Sequence, residues 1–398
     1  MELEGRKIVL GLTGGVACYK AAEFARALGK AGASVQVVMT AAATQFITAV
    51  TMQAVSGRPV YADQWDARIP NNMPHIDLTR DADAIVIAPC SADFLSKLAH
   101  GACDDLLSTL CVARPATLPL MVAPAMNVEM WQNPATRRNV AQLREDGIAL
   151  LGPAAGEQAC GEVGMGRMLE PEHLLEEVIA SFVPKALAAK KVLITAGPTF
   201  EPIDPVRGIT NLSSGKMGYA IARAARAAGA EVLLVSGPTA LAAPYGVQRI
   251  DVLSARDMHA AVMARIPGQD VFIAVAAVAD WRVANASGQK LKKDAHGGMP
   301  PLAFEQNPDI LASVAALPNK PYCVGFAAES ENLLEYGRAK RERKGIPLLI
   351  GNIGPQTFGS DRNELVLFDE HGHVALPAAH KRDLARELIA EIARRLPA

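Results

Sequence analysis

Twice in this chain a short apolar run ends in glycine, passes into a helical stretch, turns through Ala-Gly-Ala and resumes as a second apolar run. The first instance is KIVLGLTGG at 7–15, a helical stretch over 16–30, AGA at 31–33 and SVQVVM at 34–39. The second is KVLITAG at 191–197, a long loop, a helix over 216–228, and AGAEVLLVSG at 228–237. Strands covered by helices on both faces are buried throughout and read as near-continuous apolar runs. The two openings therefore predict an α/β chain of two doubly wound, Rossmann-like domains. A length of 398 residues, more than one core usually organises, points the same way. The expected division is 1–185, a short tether at 186–190, and 191–398, with a helix at 173–182 before the join. Further strands are expected at 84–88, 118–122, 271–276, 322–326 and 348–350. The loops joining strand to helix differ completely between the halves, so these are not sequence repeats.

Several function classes drop out early. A net charge of −1 gives no basic field for nucleic acid or anionic lipid. The longest apolar stretches, such as VFIAVAAVA at 271–279, are far too short to span a bilayer. The opening MELEGRKIVLGL lacks the cationic start and long apolar run of a secretory signal. Six cysteines, at 18, 90, 103, 111, 160 and 323, form no CxxC pair and no metal-ligand spacing. A cytoplasmic chain with reduced thiols is expected, in which any important cysteine acts chemically.

Ligands of open α/β sheets bind beyond the carboxyl ends of the strands. The segments to weigh are therefore TGG (13–15), PCSAD (89–93), PAMN (124–127), GPTFEP (197–202), AAVAD (276–280) and GFAAE (325–329). GLTGG is not GxGxxG, and the second strand ends in Met39-Thr40 where an acid would hold a ribose diol. That excludes a nicotinamide dinucleotide. Small residues and free amides at a helix N-terminus remain, which suit the phosphate of a mononucleotide such as FMN. By itself such a glycine turn serves tight strand–helix packing equally well.

PAMNVEMW at 124–131 follows a buried strand and presents one amide, Asn127, able to read a ligand carboxylate. With GLTGGVACYK and QACGEVGMGRM (158–168), in that order, it makes residues 5–182 closely resemble the flavin-dependent cysteine decarboxylases, flavodoxin-like enzymes. The resemblance implies that FMN oxidises a cysteinyl thiol to a thioaldehyde, that carbon dioxide leaves into the C=S sink, and that the electrons then return. It implies that His75, in MPHIDL, handles a proton near flavin and substrate. Asn127 would bind the substrate carboxylate, and Cys160, on a Gly-rich flap at 156–166, would protonate the enethiolate. FMN contacts would fall on Thr13, Gly14, Gly15, Thr40, Ser91 and Ser108. The family's PASANT loop is replaced here by PCSAD, which differs at Cys90 and Asp93. The family also places FMN between subunits, which implies a homo-oligomer.

In the second half, GPTFEPIDPVRGITNLSSGKMG (197–218) is too long for an idle connection and ends at a helix start capped by Ser213-Ser214-Gly215. Asp280 closes AAVADW, KLKK follows at 290–293, NPDI lies at 307–310, and Lys340 and Lys344 share a helix face. No GxxxxGK[ST] loop is present, so a nucleoside triphosphate would need dispersed lysines. This half resembles the bacterial CTP-dependent phosphopantothenoylcysteine synthetases along its whole length. The resemblance implies attack of the 4'-phosphopantothenate carboxylate on the CTP α-phosphate, giving an acyl-cytidylate and pyrophosphate. The amine of L-cysteine then displaces CMP. Asn211 would hold the acyl-cytidylate, and Lys290 would stabilise charge at the α-phosphate. Ala276, Ala277, Val278, Asp280, Lys290, Pro308, Asp309, Ile310, Leu311, Phe326, Lys340 and Lys344 would form the CTP pocket. Mg²⁺ would be held by phosphates and water, with no protein ligand assigned.

The product of the second half is the substrate of the first, the order found in bacterial bifunctional enzymes of coenzyme A biosynthesis. Two other readings of the first half are a non-catalytic flavin-binding regulatory module and a flavin prenyltransferase. Intact His75, Asn127 and Cys160 oppose the former; PAMNVEMW, QACG and the attached second half oppose the latter.

Overall fold

A computed structural model describes residues 1–66, 73–292, 301–329, 331–353 and 359–397. The chain divides into two compact units, Met1–Phe182 and Val183–Ala398.

The first unit is built on a five-stranded sheet of β1 (Lys7–Leu12), β2 (Ser34–Met39), β3 (Ala84–Cys90), β4 (Leu120–Pro124) and β5 (Ala149–Leu150). Their order is β2-β1-β3-β4-β5, and every pairing is parallel. The order in which strands are added reverses between β1 and β3, and the crevice at such a switch point is where a ligand binds. The uninterrupted burial of β3 reflects helical cover on both faces. Helix α1 (Cys18–Lys30) buries Ala21, Phe24, Ala25 and Leu28, spaced three and four apart as an amphipathic helix requires. On the way round follow α2 (Ala49–Ser56), α3 (Pro74–Arg80), α4 (Ala92–His100), α5 (Leu106–Ala113), α6 (Val128–Gln132), α7 (Pro134–Glu145) and α8 (Pro171–Ser181). Val9, Ile85, Ile87, Phe94, Leu107 and Leu143 share one core. The strand expected at 118–122 starts two residues later, because a turn joins the Leu118 N–H to the Pro115 carbonyl. The expected flap is an antiparallel hairpin, β6 (Ala154–Glu157) and β7 (Val163–Arg167).

Residues 186–190 fall within the second unit. Leu187 is 1% exposed and belongs to the second unit's core, its N–H donating to the Ala228 carbonyl, while the Lys185 ammonium donates to Ala227. An apolar side chain with a neighbouring core to enter does not stay in solvent.

The second unit holds an eight-stranded sheet. Its strands are β8 (Lys191–Ala196), β11 (Glu231–Ser236), β12 (Gln248–Asp251), β13 (Val271–Ala274), β16 (Tyr322–Glu329), β17 (Leu348–Ile353), β18 (Arg362–Asp369) and β19 (Gly372–His380). The order is β12-β11-β8-β13-β16-β17-β18-β19. Six parallel strands in the 3-2-1-4-5-6 Rossmann order are extended by an antiparallel edge, β18 and β19. Two short ribbons, β9–β10 (Phe200–Pro202, Gly208–Thr210) and β14–β15 (Trp281–Val283, Phe304–Gln306), lie outside the sheet. Helices α9 (Lys216–Ala227), α10 (Ala255–Met263), α11 (Ile310–Ala315), α12 (Leu333–Lys344) and α13 (Lys381–Arg395) complete the unit. One core joins β8, β13 and β17 to α9 and α13 through residues such as Ile194, Ile273, Ile221 and Leu388. The opposite face packs Phe272, Met258 and Val314.

Candidate functional sites

In the first unit the switch point is stitched by one hydroxyl. Thr13, at the end of β1, donates through Oγ1 to the Pro89 carbonyl at 2.8 Å and accepts from the Ser91 N–H at 2.9 Å. Ser91 in turn caps α4, its Oγ accepting from the Phe94 N–H. Thr40, at the end of β2, is joined to β1 by its N–H and accepts from the Ala43 N–H. Gly14 and Gly15 lead into α1, whose start has no side-chain cap and no acidic residue. A Cβ placed on Gly15 would meet nothing within 4 Å. An uncapped helix start beside open space, with polar strand ends alongside, fits a mononucleotide phosphate.

Ser108 is different. It is fully buried at the third position of α5, where its Oγ and the Asp105 carboxylate form a reciprocal capping box. Helix capping engages its hydroxyl locally. The departures in PCSAD also have an explanation. Cys90 is a fully buried core residue, while Asp93 is exposed on α4 and 3.9 Å from Lys97.

Burial sorts the cysteines. Cys18, Cys90, Cys111 and Cys323 are buried, leaving Cys103 and Cys160 exposed. Burial pushes the thiols of Cys18 and Cys323 up to about 11 and that of Cys111 up to about 12, so these three stay protonated and inert.

Cys160 sits at the tip of the hairpin, and the hairpin is docked on the PAMN segment. The Met126 N–H donates to Gly166, and the Val128 N–H donates to Gln158 Oε1 at 2.9 Å. Gly166 has φ of +138°, and a Cβ there would come within 2.4 Å of the Met126 carbonyl, so glycine allows the approach. Asn127 caps α6 by accepting from the Met130 N–H, which leaves its amide nitrogen free to donate to Glu162 Oε2 at 3.2 Å. The Cys160 thiol points to the same Oε2 at 3.4 Å. The fold therefore brings Asn127 and Cys160 together through Glu162, a residue not anticipated from the motifs. A carboxylate two residues from the flap cysteine was its signal. His75, half-buried in the first turn of α3, is hydrogen-bonded to neither Asn127 nor Cys160.

The second unit's switch point opens into a cleft of about 710 Å³ at the carboxyl ends of β8 and β13, a size suited to a small-molecule ligand. Its lining includes Asn211, Ala276, Ala277, Val278, Asp280, Pro308, Asp309, Ile310, Leu311, Phe326, Lys340 and Lys344. Asn211 donates to the Ala277 carbonyl at 2.9 Å, fastening the long loop to the β13 end. Gly237 lies so close to this loop that a Cβ would sit 1.8 Å from the Pro198 carbonyl. Helix α9 starts beside the cleft at Gly215 with no side-chain cap. Asp309 caps α11 and pairs with Lys344. Burial lowers the Lys344 ammonium while the Asp280 charge works in the opposite direction. Lys340 pairs with Glu329 at 3.5 Å.

Lys290 is exposed and absent from the cleft lining, unlike the other expected pocket residues. Its neighbour Leu291 is held by a buried carboxylate: its N–H donates to Asp204 Oδ2 at 3.1 Å and its carbonyl accepts from Arg207. Arg207 also grips Asp204, holding that carboxyl well below the usual range. The segment bearing Lys290 is thus anchored one residue away. Lys293, the last of the KLKK run, lies outside the described residues.

Residues 1–183 match the family described as Flavoprotein, and residues 187–396 match the DNA/pantothenate metabolism flavoprotein C-terminal domain. Across both halves the chain is similar to proteins named coenzyme A biosynthesis bifunctional protein CoaBC. That of Vibrio vulnificus (strain YJ016) is 50% identical over 394 residues, 98% of each chain. That of Escherichia coli (strain K12) is 47% identical over 401 residues, covering 99% of this chain and 98% of the relative. That of Bacillus subtilis (strain 168) is 41% identical over 399 residues, 98% of this chain and 97% of the relative.

Proposed function

Because the chain belongs to the family of bifunctional coenzyme A biosynthesis proteins, we propose that its first unit decarboxylates what its second unit ligates. The protein is a bifunctional enzyme, a phosphopantothenoylcysteine decarboxylase and a phosphopantothenate–cysteine ligase, and a flavoprotein. The observation that carries the assignment is similarity over 98% of both chains, spanning both halves at once.

In the second unit, the cleft receives CTP, and Mg²⁺ bound with it would neutralise charge on the phosphates without a protein ligand. Lys340 and Lys344 attract the triphosphate, and Asp280 with backbone groups of 276–278 reads the cytosine. The 4'-phosphopantothenate carboxylate displaces pyrophosphate at the α-phosphorus. Asn211 holds the resulting acyl-cytidylate while the cysteine amine attacks its acyl carbon and expels CMP. Lys290 acts in the first step when its segment, hinged at Leu291, turns toward the α-phosphate.

In the first unit, FMN bound at the β1/β3 crevice supplies the two-electron oxidation and the later reduction. Thr13, Gly14, Gly15, Thr40 and Ser91 line that crevice. The Asn127 amide holds the substrate carboxylate until carbon dioxide leaves, His75 moves a proton, and the Cys160 thiol gives its proton to the enethiolate carbon. The flavin site is completed by a second copy of the chain.

The test is direct. Purified protein given CTP, Mg²⁺, L-cysteine and 4'-phosphopantothenate should yield CMP, pyrophosphate, carbon dioxide and 4'-phosphopantetheine by mass spectrometry. No product of either kind would sink the reading, and ligation without decarboxylation would sink its first half.

A further inference from the structure

The hairpin contacts point to a residue that the proposed chemistry leaves unused. Cys160 and Asn127 come from different elements, the flap tip and the start of α6, and would have to act on one substrate. What joins them is a single oxygen. Glu162 Oε2 accepts from the Asn127 amide at 3.2 Å and from the Cys160 thiol at 3.4 Å. The hairpin is independently fixed by Gln158 and Gly166, so the carboxylate is not needed to dock it. Of the other ionisable side chains on the hairpin and on α6, Arg167 pairs with Glu170, while Glu157 and Glu129 are exposed with no hydrogen bond to Cys160.

We propose that Glu162 is a positioning residue for the decarboxylation site, aiming the Cys160 thiol while it presets the Asn127 amide. This rests on the decarboxylase reading of the first unit, and its physics is simple. A thiol that donates to a carboxylate is held in one direction, and an amide that donates to the same oxygen is held with it. On Asn127 the carboxylate occupies the donor that the substrate carboxylate would claim. Substrate entry therefore displaces Glu162 from the amide and leaves its remaining hydrogen bond on the thiol. Glu162 holds the site in register before the substrate arrives and is not itself consumed.

The experiment uses the full-length, flavin-loaded protein with Cys103 replaced by serine, so that Cys160 is the exposed thiol. Iodoacetamide modification of Cys160 is followed in time at neutral pH by peptide mass spectrometry in Glu162 and Glu162→Gln forms. Replacing the carboxylate by the weaker amide acceptor should free the thiol and make alkylation roughly fivefold faster. Glu162→Asp, which keeps the carboxylate, should restore the original rate. With phosphopantothenoylcysteine, Glu162→Gln should still bleach the flavin absorbance but should slow its recovery about tenfold. An unchanged alkylation rate with unchanged flavin recovery overturns the proposal. So does a rate change that Asp fails to reverse. Alkylation needs no turnover, so it reads Glu162 even if the protein proves not to decarboxylate, and a failed product assay is thereby separated from a failed positioning role.

Discussion

Asp204 does its work outside the cleft. Its side chain is fully buried, bound by Arg207, by the N–H groups of Val206 and Arg207, and by the Leu291 N–H. These contacts favour the ionised form, so the carboxyl lies well below its ordinary 3.8. A group depressed in the folded state contributes stability that is fully present above its unfolded value and is lost as pH falls through the folded one. Urea midpoints of the second unit should therefore hold steady from pH 7 to 5 and fall below about pH 3.8. Asp204→Asn should lower the midpoint at neutral pH and flatten the acid limb. An acid limb identical to wild type would show that Asp204 is not the titrating anchor. At this scale legibility is uneven. Asn127 and Cys160 stood out because an amide after a buried strand and a cysteine between glycines are poor packing residues. Glu162 and Asp204 did not, since a carboxylate on a polar loop reads as solvated until its partners are known. The capping role of Ser108 was equally hidden, since it depends on Asp105 three residues earlier.

Among the elements, the hairpin β6–β7 is the one whose docking can be broken at a single atom. Alanine at 166 would have to adopt φ of +138° and bring its Cβ 2.4 Å from the Met126 carbonyl. Strain of that kind costs about 1–3 kcal/mol and is relieved by lifting the hairpin off α6. Gly166→Ala should reduce decarboxylation roughly tenfold or more while leaving the first unit's melting temperature nearly unchanged, since the hairpin is not part of the five-stranded sheet. Turnover equal to wild type would show that docking is dispensable; a large drop in melting temperature would show that the hairpin carries stability. The parallel strands were readable because burial on both faces writes them as apolar runs, as in KIVLGL and KVLITA. The antiparallel pair β18 and β19 was not, because RNELVLFD and GHVALPAAH mix polar and apolar residues. The three-residue ribbons β9, β10, β14 and β15 are too short to carry any period.

For the whole molecule, each of the three core clusters described lies within one unit, as expected of two domains that fold on their own cores. Substitutions should then act on one activity at a time. Asn211→Asp should accumulate acyl-cytidylate yet decarboxylate added phosphopantothenoylcysteine normally. Cys160→Ser should stall after carbon dioxide release with ligation intact, and loss of both activities in either variant would contradict independence. The same logic decides where the second unit begins. Its sheet starts at Lys191, but Leu187 lies in its core and Lys185 binds the Ala227 carbonyl at the end of α9. Burying a leucine side chain is worth about 1.5–3 kcal/mol. A fragment of residues 183–398 should therefore be more stable than one of 191–398 by about that amount in urea denaturation. Leu187→Ala within the longer fragment should abolish most of the difference, because the side chain and not the added length is responsible. Equal stability of the two fragments would make 186–190 a passive connection after all.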